Sequence, residues 1–310
     1  MKTKILYTHA LSPLHAGTGQ GIGVIDLPIA REKATGLPFL PGSSVKGSLR
    51  DVCDNRDKRK QLFGPDKKEN PEEHAGSVQF SDQRLLLLPV RSLKGTFAWV
   101  TSPYILNRFV RDARDTNANS LGKPVPTPTS NDTTQECFVI NGNKLEMKDD
   151  KNQLKVYLED LDLTVSNDKA KAKVWADVFA GEIFTGDWQG FFKERFCIVP
   201  DDVLNFLLDT ATELTARISI EADTKTAEEG QLWYEEALPC GTVLFGMVLA
   251  VKIGKVNLNP NDALIEVGKL INKPVQFGGK ATVGRGLCRL TFSKANGGAT
   301  DVANTEPTIR

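Results

Sequence analysis

Apolar and polar positions alternate along the start of the chain, a pattern typical of β-strands. Residues 2–10 predict the first strand, and the glycine-rich residues 11–23 predict a flexible loop after it. A short apolar stretch follows at residues 24–29. Apolar side chains then recur at three- and four-residue intervals, so a first helix is expected to begin near Ser43 or Ser44, either of which could cap it.

Strand and helix periods alternate again towards the end of the chain. Further strands are predicted at residues 78–90 and 243–253, further helices at 103–114 and 262–271, and a glycine-rich loop leading into a last strand at 276–292. Residues 215–222 and 232–238 alternate on either side of a polar turn and predict a β-hairpin. The sequence therefore predicts an α+β fold, a sheet with helices on one face.

The 310 residues could hold two average domains or one elaborated domain, and a single domain over residues 1–293 is expected. Residues 117–195 are expected to form an inserted, lid-like region, which opens with a polar, glycine- and proline-containing stretch predicted to be a mobile loop. The hairpin would occupy residues 213–240. Residues 294–310 have no apolar pattern and are expected to be disordered.

The composition is that of a soluble globular protein, with 40% hydrophobic and 25% charged residues. No segment approaches the roughly 20 apolar residues of a membrane helix, and the start has no signal-peptide core, so a cytoplasmic location without membrane association is expected. The 39 basic and 39 acidic residues give a net charge of zero. A nucleic-acid-binding protein is more often basic, unless its charges lie on separate faces.

The cysteines and histidines favour neither a disulfide framework nor a metal cluster. The five cysteines are widely separated and are expected to be small buried side chains, and the three histidines are too few for a zinc cluster or a Ser-His-Asp arrangement.

The first helix begins among small residues that leave its backbone amides accessible. Lys46 and Arg50 lie four positions apart on one face, and amides at a helix N-terminus bind phosphate. Ser43 and Ser44 at the start of this helix are therefore predicted, with the two cations, to bind phosphate. An ordinary capped helix with solvated basic side chains is the alternative.

A second phosphate-binding segment is predicted near the C-terminus. Gly278 and Gly279 would let the backbone approach a phosphate chain, and Lys280 and Arg285 would supply positive charge. The segment matches neither a Walker loop nor the GxGxxG pattern. Glycines that serve only turn geometry are the alternative.

One carboxylate, Asp26, directly follows the first glycine-rich loop in apolar surroundings. A carboxylate in this position could hold a divalent cation or orient a proton transfer on a ribose hydroxyl, and a solvated edge-strand residue is the alternative. His15 could act as a general acid or be structural. The hairpin could wedge between bases or reach a neighbouring subunit, or its Trp233 and Tyr234 could simply belong to the core.

Three stretches of the sequence together resemble a known family. They are residues 14–51 (LHAGTGQGIGVIDLPIAREKATGLPFLPGSSVKGSLRD), 232–246 (LWYEEALPCGTVLFG) and 276–290 (QFGGKATVGRGLCRL). In order and spacing they resemble the repeat-associated mysterious protein (RAMP) superfamily, and within it the backbone subunits of type III-B CRISPR Cmr complexes. The resemblance is weaker over residues 64–214.

This resemblance implies an RNA-recognition-motif-like (ferredoxin-like) core with a thumb hairpin. Copies would stack into a helical filament along a CRISPR guide RNA, together with other Cmr subunits, as an antiviral ribonucleoprotein. Each copy would grip guide phosphates through the helix at Ser43 and the loop at Gly278. The thumb would splay the guide–target duplex at regular intervals, where the target RNA would be cut.

The aspartate of the family falls on Asp26, which would act as the endoribonuclease residue with a bound Mg²⁺ or Mn²⁺. His15 and a glutamate of the hairpin could assist it from the same cleft, and the glutamates in question are Glu228, Glu229, Glu235 and Glu236.

Three other functions stay open on sequence alone. The chain could be a non-catalytic RNA-binding scaffold in the same assembly. It could be a stand-alone endonuclease that processes precursor guide RNA by histidine chemistry without metal. A metabolic enzyme that binds a mononucleotide is a third alternative, which no Walker loop, Rossmann fingerprint or catalytic triad supports.

Overall fold

A computed structural model describes residues 1–17, 25–65, 75–131, 133–220, 227–254 and 256–294 of the chain. Its strands are β1 (Lys2–Ala10), β2 (Phe39–Leu40), β3 (Val78–Phe80), β4 (Gln83–Arg91), β5 (Phe97–Thr101), β6 (Ser130–Asn131), β7 (Thr134–Val139), β8 (Met147–Lys148), β9 (Leu154–Leu158), β10 (Leu161–Val165), β11 (Phe196–Ile198), β12 (Glu213–Ile220), β13 (Ala227–Ala237), β14 (Val243–Ala250), β15 (Val275–Gln276) and β16 (Leu287–Phe292). Its α-helices are α1 (Gly42–Asp51), α2 (Arg56–Phe63), α3 (Pro103–Asp115), α4 (Lys169–Ile183), α5 (Asp187–Lys193), α6 (Asp201–Thr210) and α7 (Pro260–Leu270).

Fourteen of the described strands form one mixed sheet. Its order is β15-β16-β1-β14-β4-β5-β11-β7-β10-β9-β8, with β2 beside β4, β3 beside β14 and β6 beside β7. The β5–β11 and β7–β10 pairs are parallel, and the other pairs are antiparallel. The remaining strands, β12 and β13, form a separate antiparallel ribbon, as the alternating pattern predicts. The α+β class is confirmed.

Helices cover both faces of the sheet. The Tyr7 ring of β1 stacks on Phe109 of α3, with ring centroids 6.3 Å apart. The adjacent Leu6 points to the opposite face, and there its partner Phe292 lies beside Gly268 of α7. The prediction of helices on one face is therefore wrong. Strand β4 contains four consecutive buried leucines. A continuous apolar run of this kind indicates a strand that is covered on both faces.

The region predicted as an insertion continues the sheet. Its strand β7 pairs with β11, and its helix α4 packs against both strands. The stretch predicted as a mobile loop is packed, because Leu121 is buried and Trp175 Nε1 donates to Pro124 O at 3.0 Å. The apolar positions of this polar stretch therefore join the core, and its mobility stays a prediction. A role as a lid stays a prediction.

Several element bounds differ from the sequence pattern. Helix α1 starts at Gly42, and neither serine caps it, because Asp82 accepts the Gly42 N–H at 2.8 Å. The strand expected over residues 78–90 is interrupted at residues 81–82, where Asp82 turns towards α1. Helices α2, α4, α5 and α6 were not predicted. Among the cysteines Cys240 is exposed, so the expectation of five buried thiols is wrong for that residue.

Residues 295–310, predicted to be disordered, lie outside the described residues. Within the described ranges, no helix has both the length and the apolar character needed to cross a membrane.

Candidate functional site

The two ends of the chain meet in one place. The first loop (residues 11–17, after β1) lies against the glycine-rich loop (residues 277–286, between β15 and β16). At Gly278 φ is +77°, and a Cβ atom there would lie 2.7 Å from His15 O. Only glycine combines this backbone conformation with so close an approach. The pattern of glycines therefore brings two segments together that are distant in sequence.

A third segment, the Asp26 arm (residues 25–31), lies along strand β13. Leu27 donates its N–H to Tyr234 O at 3.1 Å and accepts the Glu236 N–H at 3.0 Å. The Asp26 side chain is exposed, and its Oδ2 accepts the Tyr234 N–H at 2.8 Å. Its Oδ1 has no hydrogen-bond partner among the described residues. Asp26 therefore presents a carboxylate oxygen at the surface from a position that β13 fixes.

His15 is attached to the same strand. The residue is only 9% exposed, and its Nδ1 lies 2.7 Å from Glu236 O. Because a carbonyl only accepts, Nδ1 carries a proton, which leaves Nε2 as an acceptor in the neutral ring. A Cβ atom at Gly17 would lie 2.5 Å from Nε2. The histidine is thus held in one orientation beside the Asp26 arm.

Glu235 lies on the other face of β13 from Glu236 and connects it with the glycine-rich loop. Its Oε1 accepts hydrogen bonds from Lys280 Nζ at 2.8 Å and Trp233 Nε1 at 2.9 Å, and Arg217 Nε lies 3.5 Å from Oε2. Burial by itself would raise the pKa of Glu235, but the hydrogen bonds from Lys280 and Trp233 and the charges of Lys280 and Arg217 lower it to about 2. Glu235 is therefore ionised and engaged with cations.

The cations predicted on the glycine-rich loop differ in exposure. The Lys280 side chain is 33% exposed, so its ammonium reaches solvent beside Glu235. Arg285 is only 7% exposed, and its Nη2 donates to Thr215 Oγ1 of β12 at 2.9 Å. Its Nη1 has no partner in the part of the chain that the structure describes. Gly278 and Gly279 are exposed.

Helix α1 lies beside β15, which leads into the glycine-rich loop. Ser43 and Lys46 are exposed at its start, as a phosphate contact would require. The amides are less open than predicted, because Asp82 occupies the Gly42 N–H and Pro41 O accepts the Ser44 N–H at 2.9 Å.

Arg50, the second basic residue predicted on α1, has a partner within the protein. Arg50 Nη1 donates to Gly64 O at 2.8 Å, which fastens α1 to the end of α2. The side chains of Glu228 and Glu229 lie outside the described residues.

A metal site rests on Asp26 alone. The described residues contain no group of three or more His, Cys, Asp or Glu side chains that could hold a metal ion. One exposed carboxylate fits Mg²⁺ when water and phosphate oxygens of a bound nucleic acid supply the other ligands.

Sequence reasoning missed the ion pair that holds the Asp26 arm. Glu236 is 3% exposed, and its Oε1 lies 2.5 Å from Arg31 Nη2. Its Oε2 accepts the Ile29 N–H at 3.0 Å. Since both oxygens have internal partners, this carboxylate is not presented to a cleft. No local sequence signal joins residues 205 positions apart.

Several known proteins are similar to this chain over most of its length. A model of the RAMP superfamily matches residues 9–289. The CRISPR system Cmr endoribonuclease Cmr4 of Pyrococcus furiosus is 34% identical over 307 residues, which cover 96% of this chain and 99% of that protein. The CRISPR system CMR subunit Cmr4 of Saccharolobus solfataricus is 26% identical over 315 residues, which cover 93% of this chain and 96% of that protein. A crystal structure of oligomeric Cmr4 from Pyrococcus furiosus has a TM-score of 0.69 at 29% identity, covering 94% of this chain and 98% of that one.

Proposed function

The chain belongs to the RAMP superfamily, and on that premise we propose that it is a guide-RNA-binding backbone subunit of a type III-B CRISPR Cmr complex, which cleaves complementary target RNA in antiviral defence. A relative that is 34% identical over nearly the whole chain is named an endoribonuclease, and an oligomeric relative has a similar fold. Self-association and contacts with other Cmr subunits belong to this proposal. The observation that carries it is the exposed carboxylate of Asp26, fixed by β13 beside the two converging loops.

The β12–β13 ribbon is the proposed thumb, on an RNA-recognition-motif-like core. The pairs Ala216–Tyr234 and Ile218–Leu232 place these side chains on one face of the ribbon. Ile218, Leu232 and Tyr234 are 51%, 55% and 43% exposed. An apolar face of this kind can insert between base steps and unstack a nucleotide.

The guide RNA would cross the surface formed by α1 and the glycine-rich loop. Ser43, Lys46 and Lys280 are the exposed groups suited to phosphate there, with the backbone of Gly278 and Gly279. Sequence selection would come from base pairing with the guide, so the protein needs only to bind backbone and shape. A net charge of zero suits a filament, in which acidic surface can face neighbouring copies.

Cleavage would use the ribose 2′-hydroxyl of the target. An A-form helix holds this hydroxyl out of line with its phosphate, and unstacking one nucleotide permits in-line attack of the 2′-oxygen on phosphorus. The P–O5′ bond breaks as the P–O2′ bond forms, which leaves a 2′,3′-cyclic phosphate on one fragment and a 5′-hydroxyl, protonated from water, on the other. Asp26 Oδ1 would accept the hydroxyl proton while Oδ2 keeps its bond to the Tyr234 amide. The Asp26 carboxylate and RNA phosphate oxygens would hold a Mg²⁺ or Mn²⁺ ion, which would supply positive charge beside the reacting phosphate.

Asp26→Asn tests the proposal against the scaffold alternative. The carboxamide oxygen can still accept the Tyr234 N–H, so assembly and target binding should be unchanged. Target cleavage, measured with labelled target RNA in assembled complexes, should fall by at least about 100-fold. Asp162→Asn is the matched control, because Asp162 is an exposed aspartate in the predicted insertion and should not affect cleavage. Normal cleavage by Asp26→Asn would identify a scaffold.

The alternative of a guide-RNA processor is tested separately. Purified protein incubated with precursor repeat RNA in EDTA should leave the RNA intact. Specific cleavage under these conditions would favour metal-free processing.

A further inference from the structure

Main-chain pairing between the Asp26 arm and β13 stops after Leu27. Pro28 follows and has no N–H to donate. The next donor, the Ile29 N–H, is accepted by Glu236 Oε2 at 3.0 Å instead of by a main-chain oxygen. The side chain of Glu236 therefore continues the hydrogen bonding between the arm and β13 after the main-chain pairing has ended.

The second oxygen of this carboxylate holds the arm further along. Glu236 Oε1 lies 2.5 Å from Arg31 Nη2, and the guanidinium also donates to Gly36 O at 3.1 Å and Leu208 O at 3.3 Å. Because the Glu236 side chain is only 4% exposed, loss of Arg31 would leave a buried, unpaired carboxylate. The pair is built to hold the arm in one place.

The main chain of Glu236 contacts both the Asp26 arm and the first loop. Its N–H donates to Leu27 O, and its carbonyl oxygen lies 2.7 Å from His15 Nδ1. All four polar groups of one residue thus contact the segments that carry Asp26 and His15. From this convergence we propose that Glu236, paired with Arg31, is the positioning residue for Asp26, an inference that rests on the proposed function.

Glu236→Gln tests this proposal. The side chain keeps its size, but an NH2 group replaces one of the two oxygens, so either the Ile29 N–H or the Arg31 guanidinium faces another donor. In assembled complexes, the cleavage rate at saturating target should fall on the order of 100-fold, because small displacements of a catalytic group cost this much. Target affinity should change little.

Hydrogen exchange gives a readout independent of cleavage. Amides of residues 25–31 should exchange faster in Glu236→Gln than in the natural protein. Glu146→Gln is the control, since it removes the Glu146–Lys169 ion pair of 2.5 Å in the predicted insertion. It should lower stability without changing exchange in the arm or cleavage by the complex.

Arg31→Lys provides a second variant if Glu236→Gln fails to fold. It keeps the charge opposite Glu236 but cannot reproduce the fork of donors to Gly36 O and Leu208 O. Arg31→Lys should also lower the cleavage rate without lowering target affinity, but the loss should be smaller than in Glu236→Gln. Normal cleavage and normal arm exchange in the folded variants would overturn the proposal. If Asp26→Asn also cleaves normally, the proposed function fails, whereas loss in Asp26→Asn alone refutes only the role of Glu236.

Discussion

The Asp26 arm and the glycine-rich loop are two irregular segments held by neighbouring carboxylates of β13, and they are held differently. Glu236 binds the arm through a main-chain amide and a single arginine, at 3% exposure. Glu235 binds the loop through Lys280 and strand β12 through Arg217, and the side chains of these cations are 33% and 34% exposed. One strand therefore fixes a carboxylate on one side and keeps solvent-accessible cations on the other.

The difference teaches how one site can serve two tasks. A group that takes part in proton transfer needs a fixed position, which buried polar contacts supply. A surface that binds a phosphate backbone needs cations that water and phosphate can reach. Under the proposed function these tasks fall on opposite faces of one strand, so changes to each face should separate positional effects from binding effects.

The largest effect on stability is expected from Gly286→Ala, which changes the glycine-rich loop. Gly286 has φ +83°, and a Cβ atom would lie 1.9 Å from Phe277 O, across the neck of the loop. We expect a loss of roughly 3 kcal/mol or more in the free energy of unfolding, measured by urea denaturation. Gly279→Ala is the control, because nothing lies within 4 Å of its Cβ position, and it should change stability by less than about 0.5 kcal/mol. Equal stability of the two variants would show that the close approach of Gly286 to Phe277 does not contribute to the stability of the fold.

These contacts mark the limit of what the sequence predicts. The bounds of β1 and the existence of the ribbon follow from alternation, and α7 follows from helical spacing, because those signals are local. The bounds of the ribbon do not follow, since β13 already begins at Ala227, within the stretch predicted as a turn. Asp26 stands out because it follows a glycine-rich loop. The Asp82 cap on α1 and the Arg31–Glu236 pair involve residues far apart in the chain, so no period or spacing predicts them.

The resemblance to a family supplies what local patterns lack. It relates the two ends of the chain, and the contact of Gly278 with His15 shows how close they lie. It does not distinguish Glu235 from Glu236, whose different partners depend on which face of β13 each side chain occupies.

A smaller effect is expected from Glu235→Gln, and it should depend on pH. The folded-state pKa of Glu235, about 2, lies below the ordinary value of 4.5, so ionised Glu235 stabilises the fold above about pH 4.5 and this contribution is lost as the pH falls towards 2. We expect the variant to be less stable by about 1 to 2 kcal/mol near neutral pH, after allowance for solvent around the partners. In denaturation experiments, the difference in free energy of unfolding between the natural protein and the variant should become smaller below pH 4.5.

A second acid-sensitive group gives an internal reference. Burial and the nearby charge of Arg289 lower the pKa of His9 to about 4, so its protonation destabilises the fold progressively as the pH falls below about 6.5. Because His9 is present in both proteins, this loss should cancel in their difference. A gap that already narrows between pH 6.5 and 5 would show that Glu235 is not the group responsible.

The smallest effect on stability is expected from Lys46→Gln on α1, which separates binding from positioning. Lys46 is exposed and has no ion-pair partner among the described residues, so the free energy of unfolding should change by less than about 0.5 kcal/mol. Guide RNA affinity should fall, and the slope of log K against log salt should decrease by about 0.7, because one phosphate contact is lost. Lys280→Gln should reduce the slope similarly but also lower stability, since it leaves Glu235 with one cation fewer. An unchanged slope in Lys46→Gln, with a reduced slope in Lys280→Gln, would place the RNA on the glycine-rich loop and away from α1.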